Sequence, residues 1–154
     1  MLRRERQERR SRSYNAAVIV DNAIYVDGHR TTPGSLEETY EACREQDRFA
    51  WVGLYEPTAE EFDSVADEFG LHELAVEDAI KAHQRPKLER YGDSLFIVLK
   101  PARYLDDKER VEFGEINVFL GPNFIVTVRH GAASELSDVR HEVEGEPERL
   151  RRGP

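Results

Sequence analysis

Glu77 and Asp78 stand side by side in residues 71–99, which read L-H-E-L-A-V-E-D-A-I-K-A-H-Q-R-P-K-L-E-R-Y-G-D-S-L-F-I-V-L. Residues 72–80 have the spacing of a short helix. Leu74 (or Ala75) and Ile80 would face a sheet, which leaves the two carboxylates near solvent. Such oxygen ligands suit a hard dication. Mg2+ gives up its waters reluctantly and is often held through one or two carboxylates with water retained. Two acids on one chain bind such an ion weakly; a carboxylate from a second chain strengthens the site and joins the subunits. On spacing alone the plainer account is the stronger, because acidic pairs on exposed helices of an acidic domain are most simply a solvated face.

The pair is followed by His83-Gln84-Arg85-Pro86-Lys87. Pro86 pushes Arg85 toward extended geometry and ends the helix upstream, so the run reads as a helix-to-strand turn whose charged ends pair locally. His72 and His83 bracket the acids, but their spacing is not i, i+4 and no cysteine supports a zinc or nickel site. His72 is more simply a surface or capping residue. An enzyme using Glu77, Asp78 and His83 would need more convergent ligands than the sequence offers. G-x-S-x-G, G-x-x-x-x-G-K-[ST] and G-x-G-x-x-G are all absent, and an enzyme is not expected. Cys43 falls on an apolar helical face, where cysteine usually packs. Phe49, Trp51 and Tyr55 read as core or sheet-face residues. Asn117 and Arg129 receive no role.

These residues need a scaffold. Residues 16–20 and 23–26 read as strands around an Asp21-Asn22 turn. Ser35 with Glu38, and Thr58 with Glu61, are capping-box signals. They open a helix to about Gln46 and a second helix with Phe62, Val65, Ala66 and Phe69 on one face and Gly70 after it. Residues 49–55 form an aromatic-rich strand. Residues 88–91, 95–103, 111–120 and 124–129 read as further strands, the last two a hairpin across Gly121-Pro122-Asn123. Residues 134–143 are weakly amphipathic, and 145–154 are polar without an apolar anchor. Near-continuous apolar strands at 95–99 and 124–128 call for helices on both faces. The fold class is therefore α/β, a mixed β-sheet sandwiched between helices (α/β/α), in a single domain.

Bulk properties narrow the function. The 154 residues suffice for one cored domain. Net charge is −9, and six arginines with two glutamates give the first twelve residues +4, so the remainder carries −13. An acidic body repels nucleic acid and draws cations diffusely. Residues 1–13 read as a disordered Arg-rich head. A lone cysteine excludes an intramolecular disulfide and fits a reducing compartment. No apolar run reaches bilayer length, and no hydrophobic segment follows the basic terminus as in a secretory signal. The expectation is a soluble intracellular domain.

Residues 71–103, with the Glu-Asp and His-Gln-Arg-Pro-Lys words in that order, and F-G-E-I-N-V-F-L-G-P-N-F-I-V-T-V-R-H at 113–130, closely resemble the cytoplasmic domain of the CorA family of magnesium and cobalt transporters. The similarity runs over about residues 16–143. It implies a regulatory, cation-sensing domain at the cytoplasmic face of the membrane. In it Asp78 matches the principal ligand of an intersubunit Mg2+ site and Glu77 its supporting neighbour, with Co2+ as a substitute. The implied partners are further copies of the chain, in a homopentamer, without nucleic acid. Membrane contact is implied only through C-terminal helices beyond these residues, including the one that ends in Gly-Met-Asn. The resemblance thus divides the chain into the head at 1–13, the domain at 14–145 and a tail at 146–154 leading toward a stalk helix. Ion bridging would favour a closed state. The family usually has proline where Glu73 stands, and glutamate suits a first helical turn equally well. A zinc-transporting relative, a metal-dependent enzyme and a pure oligomerisation scaffold remain alternatives.

Overall fold

The aromatic run predicted at 49–55 becomes a central strand, β3 (Arg48–Tyr55), whose apolar side chains point alternately to two different cores. A computed structural model describes residues 19–132 and 134–154; the predicted head and the first residues of the predicted first strand lie outside them. Around β3 are β1 (Ile19–Val26), β2 (His29–Thr31), β4 (Lys87–Tyr91), β5 (Ser94–Leu99), β8 (Glu115–Leu120) and β9 (Phe124–His130). They form one seven-stranded sheet ordered β2-β1-β3-β9-β8-β5-β4. The pair β3–β9 is parallel and the other neighbours are antiparallel, so the sheet is mixed, as predicted. A separate ribbon pairs β6 (Ala102–Leu105) with β7 (Arg110–Phe113).

On one face lie α1 (Leu36–Ala42), α2 (Ala59–Phe69) and α3 (Glu73–Lys81). Phe62, Val65 and Phe69 of α2, with Ala75 and Ala79 of α3, pack on Val52, Leu54, Phe96, Val98, Phe119 and Val126. The opposite face carries Ala23, Tyr25, Phe49 and Trp51, packed by α4 (Ser137–Glu144) and α5 (Pro147–Leu150) through Val143 and Leu150. Arg140 of α4 lies over the Trp51 ring, 4.1 Å from its centroid, and pairs with Asp21. Tyr25 donates to Glu144 at 2.7 Å. This second layer covers the β1–β3–β9 half of the sheet, while Leu88 on β4 and Leu99 on β5 are exposed. Cys43 is buried, and burial pushes its thiol up to about 11, as suits a packing residue.

Local chemistry explains both the agreements and the departures. Thr58 and Glu61 form the predicted reciprocal box, and Gly70 closes α2 in the left-handed conformation. At Ser35 the oxygen accepts from Glu38 N, but the Glu38 carboxylate takes Gly34 N instead of closing the box. Helix α1 ends at Ala42, short of Gln46, because Arg44 N and Glu45 N bond back only three residues and tighten the last turn. The predicted turn at Asp21-Asn22 is instead the interior of β1, with a register irregularity between Ile19 and Asp21. The hairpin turns at Asp27-Gly28, where both residues have positive φ (51° and 78°), the requirement of a two-residue primed turn that Asp-Gly meets better than Asp-Asn. The strand predicted at 95–103 breaks at Pro101, which has no N–H for the ladder. The one predicted at 111–120 breaks at Gly114, whose N–H bonds Pro101 O. The tail also departs from prediction, since Pro147 opens a turn of helix and Leu150 is a buried anchor.

Gly28 ties the first hairpin to α5. A Cβ there would lie 2.1 Å from Pro147 O, on a backbone at φ +78°. Gly28→Ala is expected to lower unfolding free energy by about 2–3 kcal/mol, with an unchanged urea m-value. A loss below 0.5 kcal/mol by urea titration (~the range of ordinary surface changes) would contradict the contact.

Candidate metal centre

Helix α3 sits beside the edge strand β4 and is fastened along its length. At its start His72 Nδ1 accepts from Leu74 N at 3.2 Å, and the imidazole stacks on Tyr91 with centroids 4.0 Å apart. His72 is thus a cap, as predicted. In the middle, Ala75 and Ala79 are fully buried, small enough to let the helix approach the sheet. Of the expected inward residues, Ala75 goes in while Leu74 is 58% exposed. At its end His130 Nε2 lies 2.8 Å from Ala79 O. Ala82 and His83 then take positive φ (54° and 57°), turning the chain sharply so that Gln84 N reaches the Glu115 carboxylate at 3.0 Å.

Glu77 and Asp78 leave α3 in different directions, as adjacent helical residues must. Glu77 is exposed and pairs with Lys81 one turn on. Asp78 is more covered, with its side chain 28% exposed, and reaches across to β4, where Lys87 Nζ lies 2.6 Å from Oδ2. The same ammonium contacts Glu89 Oε2 at 3.0 Å, and Tyr91 donates to that oxygen at 2.9 Å. A polar chain therefore runs His72, Tyr91, Glu89, Lys87, Asp78 along the helix–strand seam. The hydrogen bond to Asp78, then that to Glu89, holds the Lys87 ammonium above its ordinary pKa. Lys87 first and Tyr91 second hold Glu89 below the usual carboxylate range.

A second cluster lies behind the turn. Glu115 is 3% exposed and meets Lys100 at 2.9 Å, Asn117 Nδ2 at 3.1 Å and the Gln84 amide. Burial pulls its pKa upward, yet Lys100, Asn117 and Gln84 N together outweigh this and keep it below the usual range. The His-Gln-Arg-Pro-Lys run is thus a helix-to-strand turn, as predicted; its charged end Lys87 pairs locally with Asp78 and Glu89, and the Gln84 backbone adds a grip on Glu115.

Among the described residues no group of three His, Cys, Asp or Glu gathers as a metal cage. His72 and His83 do not join the acids. What remains is one partly exposed carboxylate at a sheet edge, with Glu77 beside it. That donor set fits a hydrated hard cation, which needs only one or two carboxylates. Glu89 and Glu115 were not singled out by sequence reasoning, and Lys87 was singled out only as part of the His-Gln-Arg-Pro-Lys turn. Their signals were Lys87, Glu89 and Tyr91 alternating along a strand, and Glu115 with Asn117 two residues on as the two polar positions of a mostly apolar one.

The architecture is that of a mixed-sheet α/β domain with an acidic helix laid beside an edge strand. The family described as CorA-like Mg2+ transporter protein matches residues 46–153, and the chain belongs to that family. It is 34% identical over 104 residues to YfjQ of Bacillus subtilis, covering 68% of this chain and 31% of that protein. It is 30% identical over 79 residues to the cobalt/magnesium transport protein CorA of Thermotoga maritima, covering 51% of this chain and 22% of that one. The soluble domain of CorA from Methanocaldococcus jannaschii shares the fold, with a TM-score of 0.59 and 17% identity over 88% of this chain and 52% of the other. The chain spans about a third or less of the length of these two relatives. Among the described residues no helix is long and apolar enough to cross a membrane.

Proposed function

We propose that this chain is the cytoplasmic, divalent-cation-sensing domain of a CorA-type transporter. Mg2+ is held at Asp78 with Glu77 beside it, and Co2+ is an alternative occupant. The partner is a neighbouring copy of the chain in a homopentamer, which supplies further ligands. Transport belongs to membrane helices elsewhere in such a protein, and the domain itself turns nothing over.

The observation that carries this reading is Asp78, a partly exposed carboxylate on a helix beside the sheet's edge strand, in a chain of this family. An edge is where a second copy can approach without disturbing the core. Exposed Leu74 (58%) and Leu88 (65%) on the same two elements give it apolar surface to meet. Ion occupancy then biases the assembly by differential binding: bridged acids favour the closed ring, and bare acids repel and loosen it.

Paramagnetic Co2+ added to the 154-residue chain is expected to broaden amide signals around residues 77–79 first, and excess Mg2+ to restore them. Asp78→Asn is expected to weaken either ion by about tenfold or more. In a transporter carrying the domain, Asp78→Ala or Asp78→Lys is expected to weaken inhibition by magnesium. Broadening centred elsewhere, or an Asp78→Asn titration that overlays the wild type, would overturn the proposal. A pure scaffold would sediment identically with and without magnesium.

A further inference from the structure

We infer that Lys87 is a tethered cation that occupies the Asp78 site when no metal is there and sets the ion concentration at which the site fills. This inference rests on the proposed function and concerns regulation of the same site. Three observations carry it. The Lys87 ammonium is shared between two carboxylates, Asp78 at 2.6 Å and Glu89 at 3.0 Å, which is the position a bridging cation would take. Its head is held in place: the side chain is 26% exposed, and Nζ lies 5.5 Å above the centre of the Phe96 ring. Its backbone is fixed too, since Lys87 is the first residue of β4 and pairs with Val98 in the sheet.

The competition follows from charge and reach. Without the ammonium, Asp78 and Glu89 would face each other as two like charges, and a hydrated dication would be drawn between them. With it, an entering ion must displace Lys87 from Asp78 Oδ2 or accept the repulsion of a neighbouring positive charge. An ion therefore meets a site that is vacant only part of the time, and its apparent affinity falls by that fraction. Glu89 gives the displaced ammonium somewhere to remain. It keeps its Tyr91 hydrogen bond, so Lys87 can stay on Glu89 while Asp78 turns to the metal. The exchange leaves the fold intact, because the residues that move are at the surface of the seam and the buried Ala75 and Ala79 stay packed. Lys81 does not play this part: it pairs with Glu77, and both side chains are more than half exposed.

The test follows Mg2+ binding through the amide shifts of residues 77–82 in the 154-residue chain. Lys87→Met keeps the apolar stem and removes the charge; it is expected to tighten Mg2+ by about tenfold. Lys87→Arg keeps the charge and is expected to bind close to wild type. Arg103→Met removes one positive charge from the β6–β7 ribbon, where Arg103 pairs with Glu112, and controls for net charge. Lys87→Met together with Asp78→Asn is expected to lose the gain. If Lys87→Met binds no tighter than Arg103→Met, the inference is overturned and the site itself stands. If wild type and Asp78→Asn respond alike to Mg2+, the proposed function is overturned whatever Lys87 does. Lys87→Gln, checked by circular dichroism, serves if the methionine variant does not fold.

Discussion

Glu115→Ala is expected to lower unfolding free energy by about 3 kcal/mol, because it orphans the Gln84 amide and Asn117 Nδ2 and leaves Lys100 without its carboxylate. Asn117 Oδ1 is already without a hydrogen-bond partner among the described residues, so the same buried amide would then have both of its polar atoms unsatisfied. Glu115→Gln keeps an acceptor for Gln84 N and should cost less, about 1 kcal/mol. The two variants also differ with pH. A carboxylate whose folded pKa is lowered contributes stability above its unfolded pKa and loses it as the pH falls through the folded one. The gap between wild type and Glu115→Gln should thus be full at neutral pH and close on acidification below the ordinary glutamate range. Chemical denaturation at neutral and acidic pH reads both effects. A gap independent of pH would mean that the carboxylate charge contributes nothing.

Phe62→Ala has the largest expected effect, a loss of about 4 kcal/mol. Phe62 is fully buried in α2, with its ring centre 5.6 Å from that of Phe119. Phe119 in turn contacts Phe96, and the Lys87 ammonium lies 5.5 Å from the Phe96 ring centre, so the lost ring belongs to the core that supports the proposed cation seam. For a chain of this size the loss corresponds to about 10 °C in melting temperature. A melt followed by Trp51 fluorescence measures it. A drop under about 3 °C would show that α2 does not seal this core.

The sequence was most readable where structure is decided within a few residues. Thr58 with Glu61, the spacing of Phe62, Val65 and Phe69, and Gly70 after them all act inside one helix, and all three were read correctly. The first hairpin failed on turn chemistry: Asp21-Asn22 resembles a turn, but Asp27-Gly28 six residues later meets the dihedral requirement at lower cost. Asp21 is instead engaged by Arg30 and by Arg140, the latter more than a hundred residues away. Leu150 could not be recognised as an anchor for the same reason, since its pocket of Tyr25, Phe49 and Trp51 exists only once the sheet does. At the candidate site Asp78 was legible as a carboxylate with a ligand's chemistry. That Lys87 of the His-Gln-Arg-Pro-Lys run would pair with this particular carboxylate was not, because it depends on how α3 packs beside β4.

The parallel pairing of β3 with β9 has a consequence for synthesis. On the side away from β1, Ala50 to Tyr55 find their neighbours only at Phe124 to Arg129. Until that later stretch has cleared the ribosome, β3 carries a naked flank of amide and carbonyl groups on a strand with six consecutive buried residues. Stalled or truncated nascent chains would present that flank to chaperones and to one another, whereas a single added segment, sliding between β3 and β8, closes two seams at once.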